Sequence, residues 1–220
     1  MEGTALFDPT PIAADLERVR RAGRAMLDGA LKPWSQDTSF YEADFAFFGF
    51  VERAQAFHIG ACDLVERGNP LGALTLLRSS AENVATSFWI ERHPEDLRKL
   101  MPGATERLPI GRLVAEAEKA LPGFKRMYAA WSDAAHPSGA GAFHTLTVEE
   151  DRTFKWQSMP TFRTVDDARQ VLVWIEQVCS LAAGTIRATV EARVRATSEQ
   201  DAGRAPPTAA APDPQRPPGL

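Results

Sequence analysis

Two pairs of polar residues stand where an amphipathic helix would carry apolar ones. Arg78 and Glu82 lie in the run Leu74-Thr75-Leu76-Leu77-Arg78-Ser79-Ser80-Ala81-Glu82. Ser132 and His136 end the run Tyr128-Ala129-Ala130-Trp131-Ser132-Asp133-Ala134-Ala135-His136. Each pair has i,i+4 spacing, so its two side chains share one helical face about one turn apart. Arg78 could bind an anion such as a phosphate, with Glu82 orienting the guanidinium. His136 could act as a general acid or base, its tautomer set by Glu82. Ser132 could be a nucleophile with His136 as its base.

The same residues also have structural readings. Arg78 and Glu82 could form a buried ion pair that sets helix register, because unpaired buried charge costs several kcal/mol, roughly the stability of a domain. His136 could cap the negative end of its helix. No oxyanion hole and no Gly-x-Ser-x-Gly elbow accompanies Ser132, so a serine hydrolase is disfavoured. Asp133 and His136 have the i,i+3 spacing of a carboxylate–histidine metal pair, but no second such pair exists for a di-iron bundle. No metal site is expected, and no cofactor either, since Gly-rich phosphate loops and dinucleotide fingerprints are missing. His93 and His144 read as surface or loop residues.

These residues need helices to hold them, and the hydrophobic periodicity supplies them. A first helix over Ala14 to Leu31 has Leu16, Val19, Gly23, Met26, Leu27 and Ala30 as its apolar stripe. Arg18, Arg20, Arg21 and Arg24 fall on its solvent face, and Pro33 stops it. A second runs from Tyr41 to Glu66 and is dense in phenylalanine, which predicts a central position. Gly68-Asn69-Pro70 ends it. The third spans Pro70 to Glu91 with proline in its first turn. Arg78 falls inside its apolar arc and Glu82 at the margin of that arc.

Further helices are expected over Pro94–Leu100, Ile110–Leu121 and Phe124–His136, the last with Phe124, Met127, Tyr128, Trp131 and Ala135 inward. Residues 143–148 and 153–158 alternate as two short strands. The final helix starts at Thr164 as N-cap, with Asp166 and Asp167 in its first turn, and runs to about Val194. The fold expected is therefore all-α, a bundle of about six or seven helices with a small β-hairpin before the last one. Residues 1–196 form one helical domain. Residues 197–220 read as a disordered tail rich in proline and alanine.

The run Ala73 to Glu82, followed by Trp131-Ser132-Asp133-Ala134-Ala135-His136-Pro137-Ser138, resembles a family of bacterial helical proteins to which no reaction is assigned. The shared motifs are Leu-Leu-Arg-Ser-x-x-Glu and Ser-x-x-x-His-Pro-Ser, and the likeness extends over residues 40–188. It implies that Arg78, Glu82, Ser132 and His136 form one constellation. By architecture the chain is also distantly similar to the HEPN class, many of which cleave RNA as toxins or in phage defence. That class carries Arg, four to six residues, then His. Here Arg53-Ala54-Gln55-Ala56-Phe57-His58 meets the spacing, but Ala54 stands where a polar residue belongs.

Composition narrows the function classes without choosing one. Hydrophobic residues at 44% and charged ones at 25% are ordinary for a globular chain, and a net charge of −4 favours neither nucleic acid nor anionic membrane overall. Cys62 and Cys179 read as buried free thiols, with a disulfide between them the alternative. The N-terminus lacks the pattern of a secretory signal, and no stretch comes near the roughly 20 apolar residues of a membrane span. A cytoplasmic location with no membrane partner is expected. The first functional reading is a binding or interaction module, with a homodimer as one partner state, held by a buried Arg78/Glu82/Ser132/His136 cluster. The alternative is an RNA- or nucleotide-directed enzyme of a stress or defence system, centred on His136 and Arg78. Whether the chain is an enzyme stays open.

Overall fold

A computed structural model describes residues 7–31, 42–101, 103–135, 146–148, 150, 152–156 and 160–203 of the 220. The fold is an all-α bundle. Its helices are α1 (Ala13–Leu31), α2 (Glu42–Glu66), α3 (Pro70–Arg92), α4 (Ile110–Ala120), α5 (Phe124–Ala135) and α6 (Val165–Gly203). A short 3-10 turn, Thr10–Ile12, leads into α1, and a longer one, Pro94–Leu100, follows α3.

Local chemistry explains where the helices begin. Asn69 caps α3, its side chain accepting from the Gly72 amide, while Pro70 occupies the first turn, where its missing N–H costs nothing. At the start of α6, the Asp167 amide donates to the Thr164 hydroxyl, and the Thr164 amide donates to the Asp167 carboxylate. That reciprocal pair satisfies two donors that a helix start otherwise leaves unmatched. Glu118 of α4 accepts from the amides of Gly123 and Lys125, so the turn into α5 is fastened by one carboxylate.

The centre of the bundle is α3, which packs on α2, α4, α5 and α6. It can do so because its buried face is wide: Leu74, Leu77, Ala81, Val84, Ala85 and Trp89 make the main arc, and Ala73, Ser80 and Asn83 extend it to roughly 240° at 100° per residue. The Phe-rich α2 is less central than its composition suggests. Phe47 is buried, Phe48, Phe50 and Phe57 are half-buried, and Phe45 is 66% exposed. Residues 45, 47, 48 and 50 spread around the helix at 100° per residue, so one neighbouring face cannot cover them all.

The arginines of α1 also do more than face solvent. Arg20 bonds Asp63 at 2.8 Å and Glu66 at 2.7 Å on α2, and Arg18 bonds Glu176 on α6. They fasten α1 to its two neighbours at the bundle surface.

Helix α6 differs from expectation in two ways. It runs to Gly203, past the expected end near Val194, so residues 197–203 of the expected tail are helical. Once a helix is nucleated, further residues add bonds cheaply, so an extension without an apolar stripe still forms. Residues 204–220 of the expected tail lie outside the described residues. Second, the 28-residue stretch Val165–Ala192 is long and apolar enough to cross a membrane, contrary to the expectation that no stretch is. Within the bundle, Ala168, Val171, Leu172, Ile175, Val178, Cys179, Ala182 and Ile186 of this stretch are buried.

Candidate functional site

The expected Arg78–Glu82 pair forms. Arg78 Nε donates to Glu82 Oε1 at 3.1 Å, as the i,i+4 spacing on α3 allows. A third residue joins from α5: the Tyr128 hydroxyl donates to the same Oε1 at 2.9 Å. The Arg78 guanidinium also stands 5.8 Å from the Tyr128 ring centroid. Tyr128, and to a smaller degree Glu82, raises the Arg78 pKa against the effect of burial, so the guanidinium is held charged.

The pair is not buried, which corrects the sequence expectation. The side chains of Arg78 and Glu82 are 27% and 33% exposed. Glu82 sits at the margin of the apolar arc, and there the surface opens into a cleft rather than closing against another helix. A half-exposed pair of this kind contributes about 1 kcal/mol rather than the several expected of a sealed one.

Ser132 follows Tyr128 by one turn of α5, and its Oγ is buried with no hydrogen-bond partner among the described residues. No described contact joins Ser132 to Arg78 or Glu82. His136 and His144 lie outside the described residues, so the proposed Glu82–His136 contact falls there too. Sequence reasoning assigned Tyr128 to the apolar stripe and missed its role at Glu82. The signal was present: Tyr128, Ser132 and His136 are spaced i, i+4, i+8.

The cleft beside Glu82 has a volume of about 680 Å³. Helix α2 contributes Ala46, Gly49, Phe50 and Arg53, and α3 contributes Glu82, Asn83 and Thr86. Leu100, Leu108, Ile110 and Leu113 supply the opposite, apolar wall. Two of the polar groups are already engaged: Asn83 Nδ2 donates to the Phe50 carbonyl at 3.0 Å, and the Thr86 hydroxyl donates to the Glu82 carbonyl at 2.7 Å. The groups left to meet a ligand are Arg53 and the second carboxylate oxygen of Glu82, which accepts from no described residue. The volume and mainly apolar lining are those of small-molecule sites.

The Arg53/His58 spacing does not bring those two side chains together. Arg53 is exposed on the cleft wall, its guanidinium 5.0 Å from the Phe57 ring centroid. His58 is only 5% exposed and faces α1, with Nε2 2.9 Å from the Val19 carbonyl oxygen. The five-residue separation turns the two side chains about 140° apart on the helix. Burial lowers the His58 pKa, partly offset by the Val19 bond. A buried histidine of lowered pKa stays neutral in the fold while the unfolded chain takes up the proton. Its contribution is therefore complete above the unfolded value, near 6.5, and is lost as pH falls below it. We expect the melting temperature to drop on acidification from pH 8 to 5.5, and to drop less in His58→Gln, measured by circular dichroism. Equal pH dependence in the two proteins would refute this assignment.

Both cysteines are free and buried. Burial pushes the Cys62 thiol up to about 12 and the Cys179 thiol up to about 11, so neither is a ready nucleophile. Among the described residues, no group of three or more His, Cys, Asp or Glu side chains could hold a metal ion. In comparisons with family models, with curated proteins and with solved structures, none matches this chain, and the site has to be read from its own residues.

Proposed function

We propose that this chain is a helical binding module whose ligand site is the cleft between α2, α3 and α4. The cleft itself carries this reading: about 680 Å³, an apolar lining, and two charged side chains, Arg53 and Glu82, placed to orient what enters. The Arg78–Glu82–Tyr128 group then serves to fix Glu82 on the cleft wall. Two donors hold Oε1, so the carboxylate keeps one orientation on the cleft wall. A cytoplasmic location without a membrane partner is part of this proposal. We also retain a small hairpin before α6, supported by the antiparallel alignment of Leu146–Val148 with Phe154–Trp156.

Gly49 makes the test clean. It lines the cleft, and a Cβ built there meets nothing within 4 Å. Gly49→Trp starts from that open space and should fill the cleft, and it replaces a helix-weakening residue. The neutral apolar dye Nile red should fluoresce with the wild-type protein and lose most of that signal with Gly49→Trp, at unchanged helicity. Equal fluorescence from both proteins, or none from either, would overturn the reading. The RNA- or nucleotide-directed alternative would be favoured instead by RNA cleavage that disappears in His136→Ala.

A further inference from the structure

We infer that the ligand of this cleft is an amphipathic organic anion, a long-chain carboxylate whose head group meets Arg53. The inference rests on the binding-module reading and names the chemistry the cleft would select.

Charge comes first. Several cations of the described surface are matched by carboxylates, Arg18 by Glu176, Arg20 by Asp63 and Glu66, Arg24 by Glu17 and Lys119 by Glu116, and others are not, so what sets Arg53 apart is its place in the lining of an apolar cleft. On the cleft wall the negative charge of Glu82 is matched by Arg78. Arg53 is the cation lining the cleft, and no described carboxylate pairs with it; its described contact is the Phe57 ring. A guanidinium with open donors at the edge of an apolar cavity favours a carboxylate over a neutral or cationic group.

The length of the apolar body comes from a second cavity. A slot of about 220 Å³ lies between α2, α3 and α6, lined by Phe47, Ile90, Leu97, Ile186 and Thr189 among others. It shares Ala46 and Phe50 with the cleft, so the two cavities abut across one turn of α2. Arg53 lies seven residues along α2 from Ala46, roughly 10 Å at the rise of a helix. A head group at Arg53 therefore directs an alkyl chain along α2 toward Phe50 and the apolar slot beyond it. A flat or short ligand would leave that slot unused.

The test uses the full chain and displacement of Nile red, with the affinity of this uncharged dye measured first for each protein so that displacement is compared on a common scale. Decanoate should displace the dye, and butyrate should be far weaker. Arg53→Gln changes an exposed residue and should leave the melting temperature alone. It should weaken decanoate about 10-fold, the loss of one charge-assisted contact, while 1-decanol binds equally to both proteins. If decyltrimethylammonium or decanol displaces the dye as well as decanoate does, the anion inference fails while the cleft reading stands. The same holds if Arg53→Gln leaves decanoate unaffected. If the dye itself ignores Gly49→Trp, the cleft reading fails and the inference falls with it.

Discussion

Replacing Trp131 with alanine is expected to lower the unfolding free energy by about 4 kcal/mol. Trp131 is 2% exposed and is among the largest fully buried side chains. It sits on α5, which packs against α3, and its ring meets Trp174 of α6 edge-on at 6.3 Å between centroids. Its indole thus ties α5 to the last helix, on a helix that itself packs on the hub. Removing it loses the transfer free energy of a large apolar group and leaves a cavity that three packed helices cannot easily close. In a chain of this size the melting temperature should fall by roughly 8 to 16 °C. A loss below about 1.5 kcal/mol in urea denaturation would mean that α5 is not seated by Trp131. Because α5 also carries Tyr128, the variant should loosen the hydrogen bond to Glu82 and weaken binding in the cleft.

Gly23→Ala is the second large effect, and its direction opposes helix propensity. In the middle of α1, alanine would ordinarily stabilise by about 1 kcal/mol over glycine. Here a Cβ would stand 2.3 Å from Cδ2 and 2.5 Å from Nε2 of His58. The ring cannot retreat easily, since His58 is buried and Nε2 is held by the Val19 carbonyl. The clash forces α1 away from α2 or breaks that hydrogen bond, and we expect a net loss of about 3 kcal/mol. A double-mutant cycle decides the mechanism. In a His58→Ala background the obstacle is gone, so Gly23→Ala should become neutral or slightly stabilising. A coupling of about 2 kcal/mol or more is expected. Additive effects would show that something other than the His58 ring excludes a side chain at position 23.

Gly23 illustrates how far a linear pattern reads. Its place in the apolar stripe of α1 follows from periodicity. That the position must be glycine follows only from His58, 35 residues later, packing over it. Arg20 is similar: the pattern places it on the solvent face, whereas it lies half-buried against α2, and its bonds to Asp63 and Glu66 depend on how α1 and α2 cross. The Arg78–Glu82 bond was legible because both residues belong to one helix with fixed spacing. The spacing of Tyr128, Ser132 and His136 marks a polar line on α5, but that Tyr128 meets Glu82, 46 positions away, depends on how α5 packs on α3.

The sequence by itself determined the all-α class and the helix limits, mostly to within a residue or two, because caps, prolines and hydrophobic periods act over a few neighbouring residues. It also determined which face of α3 carries Arg78 and Glu82. The tertiary structure decided that α3 rather than the Phe-rich α2 is the hub, and that the Arg78–Glu82 pair stands half-open. It also decided that Arg53 faces the cleft while His58 faces α1. Those outcomes depend on which helix faces meet and on the space left where they do not, and that space comes from packing the whole bundle, not from any one segment of it.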